Sequence, residues 1–258
     1  MAEPILRVAT FNIRHGADTA DRVRLRALAR TCAGLDADLL GLQEVVRGRR
    51  SSLYLDQGAV VARRSRARQV SGPAVQRGWL RRYGNSLVVR GRVLERAVID
   101  LPRAPEREPR TAILARVAVR GLEISVAVTH LQHWPKRHRH LAHDAPAQLR
   151  AVLDALVALP APRVLLGDLN LAPPAVVPIL AAAGFVLAEH GATYPADVPR
   201  LRLDHVAVDG FMVRRAWVAE RAPVSDHRAV VAELAVSPAN RPPSDRVPSD
   251  RAPSAQGP

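Results

Sequence analysis

Apolar residues gather along this chain in short runs, and most of the runs stop on a polar side chain. Runs of this length, rich in Val, Ile and Leu, predict strands. They cover Ile5 to Phe11, Leu39 to Leu42, Ser86 to Val89, Ala112 to Val119, Glu123 to Val128, Arg163 to Leu166, Leu203 to Val208 and Arg228 to Val236. Three segments predict helices. Pro146-Ala-Gln-Leu149 opens one in which Leu149, Val152, Leu153, Leu156 and Val157 recur on one face, and Pro160 ends it. Asp21 to Cys32 is the second, with Val23, Leu28 and Cys32 facing inward and Arg22, Arg26 and Arg30 outward. A shorter one follows Pro173-Pro174 and stops at Gly184, whose missing side chain suits a left-handed cap. The pattern is compatible with two packed sheets and with an open parallel sheet.

From Ser237 to Pro258 the chain changes character. Proline recurs, Pro243-Ser-Asp-Arg is repeated at Pro248, and apolar residues almost vanish. Such a segment cannot bury enough surface to offset its ordering entropy, so 237–258 reads as a disordered tail behind a single domain, 1–236. With 48% hydrophobic residues that domain has ample material for one core. Cys32 is the only cysteine, which excludes an internal disulfide and reads as a small core residue. No long apolar segment stands at the start or elsewhere, and the expectation is a soluble, cytoplasmic protein.

The net charge of +14 points to polyanions, but Lys136 is the single lysine, and so arginine-rich a chain carries much of that charge as compositional background. The clustered part is more telling. Between Arg47 and Arg82 ten arginines face one acid, Asp56. A polyanionic partner is therefore favoured over a merely solvated face.

The polar residues that close the apolar runs carry the chemistry. Val164-Leu-Leu-Gly-Asp168-Leu-Asn170 ends on a carboxylate and an amide which, by strand alternation, project to the same side. Alone it reads equally well as a turn. It has company: Ala9-Thr-Phe-Asn12, Asp38-Leu-Leu-Gly-Leu-Gln-Glu44, Tyr83-Gly-Asn85-Ser, Val128-Thr-His130-Leu, Leu203-Asp204-His205 and Ser225-Asp226-His227. In this order the words resemble those of the endonuclease/exonuclease/phosphatase superfamily, the DNase I-like metal-dependent phosphoesterases, over roughly residues 5 to 235. The resemblance implies an α+β four-layer sandwich of two packed, mostly antiparallel sheets flanked by helices. It also implies that the loops at one end of both sheets bring the polar words together.

A phosphoester site needs a cation, a water activator and donors for the developing charge. Glu44 is the best single candidate for holding a hard divalent ion. Mg2+, with Mn2+ as a substitute, needs only one or two carboxylates. The resemblance implies that Asn12 helps hold that metal with Asp226 at its edge, and that Asp168 activates the attacking water. It further implies that Asn170 donates to the phosphoryl oxygen, and that Asp204 orients His227 against the phosphate. Either His227 or Asp168 could take the water's proton. His130 and Arg110 are expected at the phosphate and Asn85 in support of the substrate site. His205, next to Asp204, should point away into the core.

Departures from the abasic-site repair branch of the superfamily narrow the substrate. Val45 stands where that branch has lysine, and His130 where it has asparagine. A histidine-rich basic insertion, His133 to His143 with Trp134, reads as an exposed substrate-facing loop. The leading expectation is a Mg2+-dependent phosphodiesterase acting on nucleic acid. The alternatives are a lipid or small-molecule phosphoesterase, phosphoinositide- or sphingomyelin-directed and drawn to anionic membranes, or a binding module that has kept the fold without the chemistry.

Overall fold

The computed structural model describes residues 5–18, 20–48, 54–77, 81–133 and 144–237. Strands are β1 (Leu6–Asn12), β2 (Leu39–Arg47), β3 (Arg68–Arg77), β4 (Arg81–Val89), β5 (Arg92–Asp100), β6 (Thr111–Val119), β7 (Leu122–His130), β8 (Arg163–Asp168), β9 (Val186–Leu187), β10 (Asp204–Asp209), β11 (Phe211–Val218) and β12 (Val230–Val236). Helices are α1 (Leu25–Gly34), α2 (Gln57–Arg64), α3 (Ala145–Val157) and α4 (Pro173–Ala182). The strands make two six-stranded sheets, ordered β11-β12-β1-β2-β4-β3 and β5-β6-β7-β8-β10-β9. In each, one central pair is parallel, β1 with β2 and β7 with β8, and the other pairs are antiparallel.

Three apolar layers hold the sheets together. Between the sheets lie Leu6, Val8, Leu39, Val126, Val128, Val164 and Leu166. Outside the first sheet, Ala9, Phe11 and Leu40 pack with Leu28 and Cys32 of α1 and Val61 of α2. Outside the second, Ala127 and Leu165 pack with Leu149, Val152 and Leu153 of α3 and Val176 and Leu180 of α4. Successive strand residues therefore alternate between the inner and an outer core, which is why the central strands read as unbroken apolar runs. The sheets approach closely at Gly41, where an added Cβ would stand 2.9 Å from Leu166 Cβ. This is the four-layer α+β sandwich that the sequence resemblance implies.

All eight predicted strands exist, and they are the eight interior ones. The four not predicted, β3, β5, β9 and β11, are the four sheet edges. An edge strand has one neighbour and a largely solvated face, so it carries charges instead of an apolar run. Arg92, Glu95 and Arg96 of β5 are of this kind.

One helix expectation needs correction, and one helix is unexpected. The first helix starts at Leu25, not Asp21. The Asp18 carboxylate accepts from Ala20 N and Arg22 N, and from the Arg22 and Arg24 side chains, which holds that segment as a turn. Helix α2 is hidden in the arginine-rich stretch. Asp56 caps it by accepting from Ala59 N, and only Val61 and Ala62 supply a buried apolar face. Gly184 has φ +80 and follows α4 as a left-handed cap, as expected. The tail from residue 238 and the insertion from 134 to 143 lie outside the described residues. Among the described residues no helix is long and apolar enough to cross a membrane.

Candidate active site

Strand direction explains why the polar words meet. Parallel neighbours end at the same edge: Asn12 is level with Gln43 beside Glu44, and His130 is level with Asp168. Antiparallel neighbours begin there, so Asp204 pairs with Asp168, and His227 stands just before β12, the partner of β1. The two sheets thus deliver Asn12, Glu44, His130, Asp168, Asp204 and His227 to one end of the sandwich.

Glu44 owes its direction to a bulge. Pairing between β2 and β4 shifts between Leu42 and Val45, and Glu44 has φ +57. A non-glycine residue in that region costs about 1–3 kcal/mol and persists where the surroundings hold it. Asn12 lies between the sheets. Its Nδ2 donates to Glu44 Oε1 at 3.1 Å and to Asp168 Oδ2 at 2.9 Å. On the far side of Asp168 Oδ2 stand His130 Nε2 at 3.6 Å and His227 Nε2 at 3.8 Å. His227 Nδ1 donates to Asp204 Oδ2 at 2.8 Å. Arg110 places Nη1 3.4 Å from His130 Nδ1 and 3.1 Å from Glu108. Asn85 bridges the sheets through Nδ2 to Thr111 O, 2.9 Å, and leaves its buried Oδ1 without a protein partner. Asp226 is half-buried at the rim, 3.7 Å from Arg14 Nε.

Burial divides the titrating groups. His130 is held well below its ordinary pKa by burial and then by the Arg110 charge, so it is neutral. Burial works against the cationic form of His227 too, but the Asp204 carboxylate outweighs it and lifts the imidazole to about 10. Asp168 is pushed up to about 7 by burial, with the Asp204 charge adding to it. Burial, with the Glu44 charge, also raises the Tyr83 phenol.

These residues fit a hard divalent cation. Glu44 and Asp168 bring carboxylate oxygens from opposite sheets onto one amide, and a cation there would offset the cost of burying the Asp168 charge, which raises its pKa, and the repulsion from Asp204 that adds to it. Asp168, Asp204 and His227 also offer ligand atoms within 4.8 Å of one another, but Asp204 and His227 are already engaged with each other.

One expected geometry is different. Strand β8 stops at Asp168, and Asn170 has φ +51, so strand alternation does not reach it. Its N–H donates to Asp168 Oδ1, 3.1 Å, and its Nδ2 to Leu131 O, 3.0 Å. Asn170 thereby braces the Asp168 carboxylate. His205 behaves as expected: it is fully buried, with Nε2 donating to Leu171 O at 2.9 Å.

Several neighbours have roles that the sequence reading does not assign. Ser225 Oγ donates to Asn12 O, 2.6 Å, and accepts from His227 N, 3.0 Å, so one hydroxyl ties both words together. Thr193 Oγ1 accepts from the Leu203 and Asp204 amides, and the Tyr194 ring lies 4.8 Å from that of His227. Their loop has no apolar period, and only the tertiary fold brings it here.

The arginine-rich stretch is divided by the fold. Arg47 pairs with Arg82 and Arg77 with Arg81 at the site end, beyond Glu44. Arg68 pairs with Val89, which is level with Leu39 at the opposite end, and Arg63, Arg64 and Arg66 lead into it. Glu44 lies five strand steps beyond Leu39, roughly 17 Å.

The family model described as the endonuclease/exonuclease/phosphatase family matches residues 9–227, and the chain belongs to that family. Solved structures agree on the fold. An endonuclease/exonuclease/phosphatase from Beutenbergia cavernae is 23% identical with a TM-score of 0.71, over 90% of this chain and 72% of that one. A mannosyl-6-phosphatase from Bacteroides thetaiotaomicron is 17% identical with a TM-score of 0.70, over 89% and 99%. The catalytic domain of human nocturnin is 19% identical with a TM-score of 0.68, over 91% and 94%. No curated protein matches the chain.

Proposed function

We propose that the protein is a Mg2+-dependent phosphoester hydrolase, Mn2+ serving as a substitute, and that its substrate is a nucleic-acid phosphodiester. The observation that carries the chemistry is the Asn12 amide shared by Glu44 and Asp168, with the His227–Asp204 pair across from it. Glu44 and Asn12 would hold the ion, with Asp226 at its edge, and when bound it would supply positive charge to offset that of the phosphoester.

Protonation states divide the remaining roles. His227 is already charged and serves as a cationic donor to the phosphoryl oxygens. Asp168, with a pKa near 7, is the group that can take the proton of the attacking water, and Asn170 and Asn12 keep its carboxylate in place. Neutral His130 and cationic Arg110 line the phosphate side. Arg47 and Arg82 at the site end support a strand-like polyanion.

A lipid or small soluble phosphoester is the second reading, supported by the removal of Arg63, Arg64, Arg66 and Arg68 to the far end. The test is hydrolysis of plasmid DNA, single-stranded RNA, inositol phosphates and anionic lipid vesicles by the purified protein with Mg2+. Asp168→Asn should lower turnover about 10²–10⁴-fold, and Glu44→Gln should do so by orders of magnitude with its melting temperature kept. Full activity of Glu44→Gln at ordinary Mg2+ overturns the metal assignment. Cleavage of lipid or inositol phosphates with none of DNA or RNA replaces the substrate.

A further inference from the structure

The turn after Asn12 is strained backbone beside the site. Arg14 and His15 are consecutive non-glycine residues at φ +42 and +45, followed by Gly16 at +71. Left-handed positions favour Gly and Asn, so two bulky residues in a row need to be held there. Holding groups are present. Gln57 Nε2 donates to His15 O at 2.6 Å while its Oε1 accepts from Val46 N, and Arg14 Nη1 and Nη2 reach Asp18 O and Asp21.

What this turn touches is specific. Arg14 N donates to Asn12 Oδ1 at 3.0 Å, Arg14 Nε lies 3.7 Å from Asp226 Oδ2, and His15 Nδ1 lies 3.9 Å from Glu44 Oε2. One short segment therefore meets each of the three residues assigned to the metal. Glu44 is approached from two sides, Oε1 accepting from Asn12 at 3.1 Å and Oε2 facing the His15 ring at 3.9 Å. We propose that Arg14 and His15 are positioning residues, a strained turn that presets Asn12, Glu44 and Asp226 for the cation before it arrives. This rests on the metal-dependent reading above.

Preorganisation of this kind lowers the ordering cost of binding and is separable from stability. Asn accepts the left-handed backbone but cannot reach the acids, so His15→Asn removes the contact to Glu44 at little backbone cost, while Arg14→Asn removes the contact to Asp226 together with the bonds to Asp18 O and Asp21 that help hold the turn. Mn2+ binding measured by calorimetry on the full chain should weaken about tenfold in each variant. Melting temperature without metal should stay level or rise in His15→Asn, the variant that keeps the Arg14 bonds to Asp18 O and Asp21, and Arg14→Lys should recover part of the affinity lost in Arg14→Asn. Turnover at saturating Mn2+ should fall less than the Mn2+ requirement rises. Wild-type Mn2+ affinity in both Asn variants overturns the proposal alone. A wild type that binds no divalent ion overturns it together with the reading it rests on.

Discussion

His205 shows what a buried polar side chain costs this fold when the pH changes. Its Nε2 donates to Leu171 O, its Nδ1 has no protein partner, and burial drives its pKa down from 6.5 to about 4. In the unfolded chain the imidazole takes a proton near 6.5, whereas the folded protein refuses it until about 4. The stability it contributes is therefore complete above pH 6.5 and is lost as the pH falls from 6.5 to 4. A shift of that size corresponds to about 3 kcal/mol. Urea unfolding of wild type and His205→Gln across pH 8 to 4 should show that difference, because Gln keeps a donor for Leu171 and has nothing to titrate. Equal pH slopes in the two proteins would mean that His205 is reached by solvent. At the same scale the candidate site is largely legible in the sequence: Asn12, Glu44, His130, Asp168, Asp204 and His227 all stand at or beside the ends of interior strands. Ser225 belongs to one of the polar words, but its role is invisible there, because its two hydrogen bonds exist only once β1 and the segment before β12 are adjacent. Arg14, His15 and Tyr194 are hidden for the same reason.

At the scale of elements, what can be read depends on burial. Interior strands are sandwiched between two apolar layers and announce themselves, while at the edges polar residues interrupt β3, β5 and β11, and β9 is only two residues long, so none of them reads as an apolar run. Helix α2 escapes a sequence reading because a charged surface helix with two buried apolar positions has too weak a period. Gly41 marks the opposite extreme, a point where the packing of two elements leaves no room at all. Its virtual Cβ meets Leu166 Cβ at 2.9 Å and both Val128 methyls at 3.2 and 3.3 Å. Gly41→Ala should force the sheets apart and cost about 1–3 kcal/mol. Because Asn12 and Glu44 come from one sheet and Asp168 from the other, turnover should fall further than helix content. Thermal melting and circular dichroism of the purified variant check this; an unchanged melting temperature would mean that the sheets can slide to absorb a methyl group.

The whole molecule is an electrostatic object whose parts the linear sequence could not locate. Ten arginines in one stretch look like a single grip, yet the turn from α2 into β3 carries Arg63, Arg64, Arg66 and Arg68 to the end remote from Asp168, while Arg47 and Arg82 rim the site. Phosphates bound across the rim release counterions at those residues, and the slope of affinity against salt counts them. Arg47→Gln with Arg82→Gln should therefore weaken nucleic-acid binding and reduce the salt slope by about 1 for each phosphate left without its arginine, with hydrolysis of a small chromogenic phosphodiester nearly intact. The quadruple replacement of Arg63, Arg64, Arg66 and Arg68 by Gln removes twice the charge but should change the slope less, since a strand centred on the site has roughly 17 Å to travel before meeting them. Binding of a short oligonucleotide, titrated at several salt concentrations with the cation held fixed, compares the two variants directly. If the quadruple variant shows the greater fall in slope, the strand runs along the side of the first sheet instead of across its rim. If neither variant changes it, the arginines are surface charge and the phosphoester is a small one.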